Sequence, residues 1–227
     1  MRFTTSAGVG IEYTDTGSGP TLVLLHGLGE GGVSWHPLLP AFEAGHRVLN
    51  VTLRGHTPSD WPGEYSYQSF FSDVVELLDS LAPAPGTVLG HSLGGITAFM
   101  LAVDRPDLVN RLIVEDVAPG PPFPPRPLPD RPDREIPLDW EMVVQMRPQI
   151  DAGALDLLDR LHTITMPTLV VGGGETSHVP QAWLEEATRR IPHAELITLG
   201  GGHSVHDVLP EEFTKTVLTW LDAHPPA

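Results

Sequence analysis

The chain contains no cysteine, which excludes disulfide staples, a thiolate nucleophile and Cys-based zinc or iron–sulfur centres. It has a single lysine, Lys215, in a C-terminal segment patterned as a surface helix. There is therefore no phosphate-loop lysine, and Schiff-base chemistry lacks a suitably buried amine. No apolar run approaches the roughly 18 residues that mark a membrane span, so no membrane partner is expected. The opening Met1-Arg2-Phe3-Thr4-Thr5 lacks the long apolar core of a signal peptide, and a cytoplasmic location is the expectation. Positive charge is scarce: 13 basic residues stand against 29 acidic ones, for a formal net charge of -16. Scattered acids repel phosphate backbones, so a small molecule is the expected partner and nucleic acid is not.

What is present is enough for one domain, as a monomer or homodimer. A chain of 227 residues can bury roughly 70% of the surface its unfolded form exposes. Residues 1–16 alternate as two short strands joined near residues 8–10, and residues 21–25 form a wholly apolar strand. Further strands are expected over 47–53, 87–89, 112–116, 167–171 and 195–199. Helical periodicity falls over 70–81, 93–103, 181–190 and 211–221. Strands alternating with helices imply a mostly parallel sheet covered on both faces. Residues 117–137 break the alternation with nine prolines, which forbid a ladder or helix there. Short helices are expected at 140–146 and 154–162. The chain thus divides into a first core segment (1–116), an insertion (117–165) and a second core segment (166–227). Because the insertion leaves from the carboxyl end of a strand, where open α/β sheets place ligands, it is a candidate lid.

The sharpest local pattern is Gly90-His91-Ser92-Leu93-Gly94-Gly95, between a buried strand and a helix. A serine at the apex of such a turn needs a strained backbone and small neighbours, which project its hydroxyl clear of the sheet. Serine also needs a neutral imidazole to take its proton. Gly200-Gly201-Gly202-His203 follows the last strand and brings His203 to the same sheet edge. His206 and His178 are alternative bases or pocket groups. With His203 and His206 no third ligand stands out, so no metal is expected. Two carboxylates suit the orienting acid: Asp116 at the end of one strand, and Glu175 after the next. Residue chemistry alone leaves both open.

Gly27-Leu28-Gly29-Glu30-Gly31-Gly32 fits a dinucleotide fingerprint, yet the following strand ends without a carboxylate to hold a ribose. These glycines also suit a loop that brings a backbone N–H to a reacting carbonyl. The N–H groups of Leu28 and Leu93 are the candidate oxyanion donors. His26 reads as a brace or pocket group, and Trp140, Met142 and Trp183 as pocket wall.

Together, Leu24-Leu25-His26-Gly27-Leu28-Gly29, Leu53-Arg54-Gly55-His56, Gly90-His91-Ser92-Leu93-Gly94-Gly95 and Gly202-His203 resemble the α/β-hydrolase superfamily over almost the whole chain. The resemblance implies a mostly parallel eight-stranded sheet flanked by helices, with a cap after the sixth strand, here short and proline-rich. The segment from Leu112 to Pro119 is similar to small bacterial esterases whose acid follows the sixth strand, which implies Asp116. It further implies a cofactor-independent hydrolase cleaving an ester of a small, largely apolar substrate through Ser92, His203 and Asp116. Lactone, thioester and amide hydrolysis, perhydrolase or haloperoxidase activity, and a non-catalytic receptor are the alternatives. A serine rather than an aspartate nucleophile argues against haloalkane dehalogenase and epoxide hydrolase chemistry. One departure is Thr52-Leu53-Arg54-Gly55-His56-Thr57-Pro58-Ser59, which lacks the acid and a glycine of the common Asp-x-Arg-Gly-His-Gly-x-Ser run.

Overall fold

A computed structural model describes residues 1–81 and 84–225; positions 82–83 and 226–227 of the two expected core segments lie outside the described residues. Eight strands form one sheet in the order β1-β2-β4-β3-β5-β6-β7-β8. They are β1 (Arg2–Thr4), β2 (Gly10–Gly17), β3 (Thr21–Leu25), β4 (Arg47–Thr52), β5 (Gly86–His91), β6 (Val109–Glu115), β7 (Thr168–Gly172) and β8 (Ala194–Thr198). β1 and β2 pair antiparallel, as do β2 and β4; every later neighbour is parallel.

The period-2 geometry of the strands divides the core in two. Val23, Leu25, Val88, Leu112, Val114 and Val170 face one layer, with α2 (Tyr67–Leu81), α3 (Leu93–Asp104) and α6 (Gln181–Arg190). Leu22, Leu24, Leu89, Ile113, Leu169 and Val171 face the other, where Trp35, Phe42 of α1 (Leu39–Glu43) and Phe213 and Trp220 of α8 (Pro210–Ala223) cover them. Strands buried on both faces need continuous apolar sequence, which is why the central strands carry so few polar residues.

Five short elements were not expected from periodicity: 3-10 turns at Gly32–Trp35, Pro106–Leu108 and Gly174–Thr176, together with α1 and α7 (Val205–Val208). Each is too brief to show a helical repeat. Between β6 and β7 the nine-proline stretch is irregular coil, followed by α4 (Trp140–Asp151) and α5 (Leu155–Arg160). α4 runs past its expected end at residue 146, because Pro148 removes only one N–H near the last turn, and Asp139 caps the first turn by accepting from the Glu141 N–H at 3.0 Å. The expected helix over 154–162 instead ends in a 3-10 turn at Leu161–Thr163.

α4 is fastened to the core. Gln145 accepts from the Tyr65 N–H at 2.8 Å and donates to the Gly63 carbonyl at 2.8 Å, while Gln149 donates to the Tyr65 carbonyl at 3.0 Å. Tyr65 Oη donates to Asp139 at 2.6 Å. The part of the insertion that borders the site is therefore chiefly the coil before α4 and the junction after it.

Arg54, in the run that departs from the common pattern, finds its acid elsewhere. Its Nε and Nη2 donate to the two carboxylate oxygens of Asp73 on α2, both at 2.5 Å, and both side chains are buried. Removing one partner strands a buried charge, at a cost of about 3–5 kcal/mol, whereas apolar replacement of both costs less. Asp73→Ala is accordingly expected to destabilise the fold by about 3 kcal/mol or more in urea unfolding, with Arg54→Met/Asp73→Leu less harmful. A single variant as stable as the wild type would show that the pair does not hold α2 to the sheet.

Candidate active site

Ser92 lies where β5 turns into α3, with φ 50° and ψ −111°, a left-handed conformation that costs a residue with a side chain about 1–3 kcal/mol. The surrounding backbone is too close for any residue but glycine. A Cβ at Gly90 would stand 2.3 Å from the Gly94 carbonyl oxygen, and one at Gly94 2.2 Å from that of Leu25. The turn is held by the Ser92 N–H donating to the Glu115 carbonyl at 3.3 Å and the Gly94 N–H donating to that of His26 at 3.2 Å.

His203 stands on the loop after β8. Its Nδ1 is 2.9 Å from Asp116 Oδ2 and its Nε2 3.0 Å from Ser92 Oγ. An ionised carboxylate only accepts, so Nδ1 carries the proton and Nε2 is left to accept from the Ser92 hydroxyl. Asp116, just past β6 with φ 44°, is fully buried. Besides His203 it accepts from the Gly173 N–H at 2.7 Å, Gln181 Nε2 at 3.1 Å and the Ser177 hydroxyl. Burial pushes its pKa up, but the hydrogen bonds from His203, Ser177, Gly173 and Gln181 outweigh it and leave the carboxyl below its usual range. Glu175 is exposed in the 3-10 turn Gly174–Thr176 and makes no hydrogen bond to His203.

The glycine-rich loop after β3 is pinned at alternate residues. Glu30 accepts from the Gly27 N–H at 2.8 Å and His56 Nε2 from the Gly29 N–H at 2.9 Å. Among the described residues the N–H groups of Leu28 and Leu93 have no hydrogen-bond partner, and both residues border the cavity beside Ser92. His26 does not line that cavity: it is fully buried, and its Nε2 accepts from the Leu53 N–H at 3.0 Å while Nδ1–H donates to the Gly27 carbonyl at 2.8 Å. Burial and the neighbouring His56 bring its pKa down to about 3, so it braces the loop as a neutral ring.

The cavity measures about 100 Å³ and opens to solvent. His178 and Trp183 line it, as expected for pocket groups, and the His178 ring lies 4.2 Å from that of His203. Trp140 and Met142 do not. Met142 is buried in the core with its Sδ against Gly55, and Trp140 is half-buried at the start of α4, at the opposite end of the helix from Ile150, which does reach the cavity. Sequence reasoning missed Tyr67, Phe123, Arg126 and Ile150, which also line the cavity. A lone base between two prolines, Pro125-Arg126-Pro127, was the available signal.

Residues 20–156 match the alpha/beta hydrolase fold family, and the chain belongs to it. It is 29% identical to an sn-1-specific diacylglycerol lipase of Mus musculus, over 89% of this chain and 81% of that protein. A hydrolase from Pseudomonas aeruginosa superposes with a TM-score of 0.77 at 28% identity, covering 97% of both chains. An esterase from Exiguobacterium antarcticum superposes with a TM-score of 0.85 at 22% identity, over 98% of this chain and 99% of that one. Among the described residues no helix is long and apolar enough to cross a membrane.

Behind the serine, His91 bridges two loops. Its ring nitrogens lie 3.0 Å from Glu30 and 2.8 Å from the His203 carbonyl. Burial lowers its pKa, but Glu115, Glu30 and that carbonyl prevail and raise it to about 9. Burial likewise opposes ionisation of Glu30, yet the hydrogen bond from His91 holds it at about 2. His206, instead of joining His203, stacks on Trp35 and bonds Glu115 at 2.8 Å. A raised histidine pKa contributes stability in full below its unfolded value near 6.5 and loses it as pH rises through 9. A depressed glutamate contributes above its unfolded value near 4.5 and loses it as pH falls through 2. The stability advantage of the wild type over Glu30→Gln is thus expected to be largest between about pH 4.5 and 6.5 and to shrink on both sides. An advantage still rising from pH 6.5 to 9 in urea titrations would contradict the pairing.

Proposed function

We propose that this hydrolase-family chain cleaves a carboxylic ester of a small, largely apolar substrate through an acyl-enzyme on Ser92. The observation that carries the reading is the Ser92 Oγ–His203 Nε2–Asp116 line, with separations of 3.0 and 2.9 Å, at the mouth of an apolar cavity.

His203 Nε2 takes the hydroxyl proton as Ser92 Oγ attacks the ester carbonyl. Negative charge then moves to the carbonyl oxygen, which accepts from the N–H groups of Leu28 and Leu93. Collapse of the intermediate breaks the ester bond, and His203 returns the proton to the departing alcohol. Water, deprotonated in turn by His203, attacks the acyl-Ser92 carbonyl and releases the acid with Ser92 restored. Asp116 keeps Nδ1 protonated throughout and offsets the imidazolium charge. Residues 117–165 act in this reading as a cap that shapes the substrate cavity, mainly through the coil before α4, and no metal or organic cofactor takes part in any step.

Ser92→Ala is expected to abolish ester turnover with the fold intact by circular dichroism. Asp116→Asn is expected to lower kcat by roughly 10³–10⁴-fold, while Glu175→Gln stays within a few-fold of wild type. A folded Ser92→Ala enzyme that still turns over esters at near the wild-type rate would sink the mechanism. A crippled Glu175→Gln beside an active Asp116→Asn would move the acid to the loop after β7.

A further inference from the structure

The cavity beside Ser92 is walled mainly by hydrocarbon, including Leu28, Ile96, Val117, Ile150 and Trp183. No Asp or Glu is among its lining residues, and Arg126 is its one Arg or Lys, in a chain of net charge -16. Of the two lining histidines, His203 is engaged with Ser92 and Asp116. His178 has its pKa held below the ordinary value by burial and by the neighbouring His203, so it is uncharged at neutral pH.

Arg126 is fixed in place. Its backbone N–H donates to Asp151 Oδ2 at 2.9 Å, and Nε and Nη2 donate to Oδ1 at 2.8 and 2.6 Å. The guanidinium carbon lies 4.8 Å from the centre of the Phe123 ring, which packs against Trp183 at 4.6 Å. Asp151 does not line the cavity; it borders a neighbouring groove between the coil and α4, which Arg126 and Phe123 border as well, so Arg126 stands between the two. Nη1 has no acceptor among the described residues, and the side chain is 37% exposed. Asp151 orders the side chain in the free protein, so a second anion meets a planar donor that loses little freedom on binding. A tie between coil and α4 needs only the Nε–Nη2 edge. It leaves unexplained why the cation also borders the apolar cavity beside Ser92.

Building on the serine-hydrolase reading, we propose that Arg126 is a specificity-determining residue that selects esters carrying a carboxylate at a distance from the scissile bond. The substrate is then an apolar ester with one anionic end: the reacting carbonyl sits at Ser92, the hydrocarbon fills the cavity, and the carboxylate accepts from Arg126. Charge-assisted hydrogen bonds of this kind are among the stronger polar contacts.

Paired substrates test this in the intact chain. Mono(4-nitrophenyl) adipate is compared with 4-nitrophenyl hexanoate for the acyl side, and 3-carboxy-4-nitrophenyl hexanoate with 4-nitrophenyl hexanoate for the leaving-group side. In at least one pair, Arg126→Gln is expected to lower the anionic-to-neutral ratio of kcat/KM by about tenfold or more, with Arg126→Lys between. The ratio cancels any general loss of folded enzyme. Ratios unchanged by Arg126→Gln in both pairs would overturn the proposal and leave Arg126 as a tie for the coil. If wild type hydrolyses none of the esters and a fluorophosphonate fails to label Ser92, the serine mechanism itself is wrong and the proposal falls with it.

Discussion

A carboxylate with no access to water must find several donors to stay ionised, and Asp116 finds four on three separate parts of the chain. The Gly173 N–H comes from the end of β7, Ser177 and Gln181 from the segment leading into α6, and Nδ1–H from the loop after β8. One buried charge thereby gathers the carboxyl ends of three neighbouring strands. His203 is held between this charge and Ser92, so its orientation depends on the sheet register and not on the flexibility of its glycine loop. On the far side, His91 ties the His203 carbonyl to Glu30, and Glu30 ties the loop bearing Leu28. His203 and the candidate oxyanion donors are thus referenced to the same buried framework.

Most of that framework could be read from the sequence because it follows from simple rules. Buried parallel strands must be largely apolar, so the runs at 21–25 and 167–171 announce themselves and the strands form at Thr21–Leu25 and Thr168–Gly172. A serine between Gly90 and Gly94 marks a turn that nothing bulkier can make: a Cβ added at either glycine would lie only 2.2–2.3 Å from a neighbouring carbonyl oxygen. The carboxylate that pairs with His203 was harder to read. Asp116 and Glu175 follow adjacent strands, and nothing in local composition tells which one turns inward. The difference lies in donors supplied by residues 173–181, which only the tertiary fold brings together.

The insertion was the least legible region. Its prolines exclude regular structure without specifying which way the coil runs, so Arg126 and Phe123 carried no readable role. Trp140 and Met142 looked like pocket residues because they are large and apolar near a site. Instead, the hydrogen bonds of Gln145 and Gln149 to the 63–65 backbone set the rotation of α4 and put Met142 in the core. The short turns at Gly32–Trp35 and Val205–Val208 were missed for a different reason, being shorter than the period that reveals a helix.

The proposed mechanism depends on a covalent bond forming at Ser92. Rapid mixing with excess 4-nitrophenyl ester followed by acid quench and mass spectrometry tests this directly. The expected result is an intact protein heavier by one acyl group, with the mass on the proteolytic fragment containing Ser92, and a nitrophenol burst of about one equivalent when deacylation is the slower step. An acyl group found reproducibly on another residue, or turnover at the same rate after Ser92 has been fully blocked by a fluorophosphonate, would contradict it.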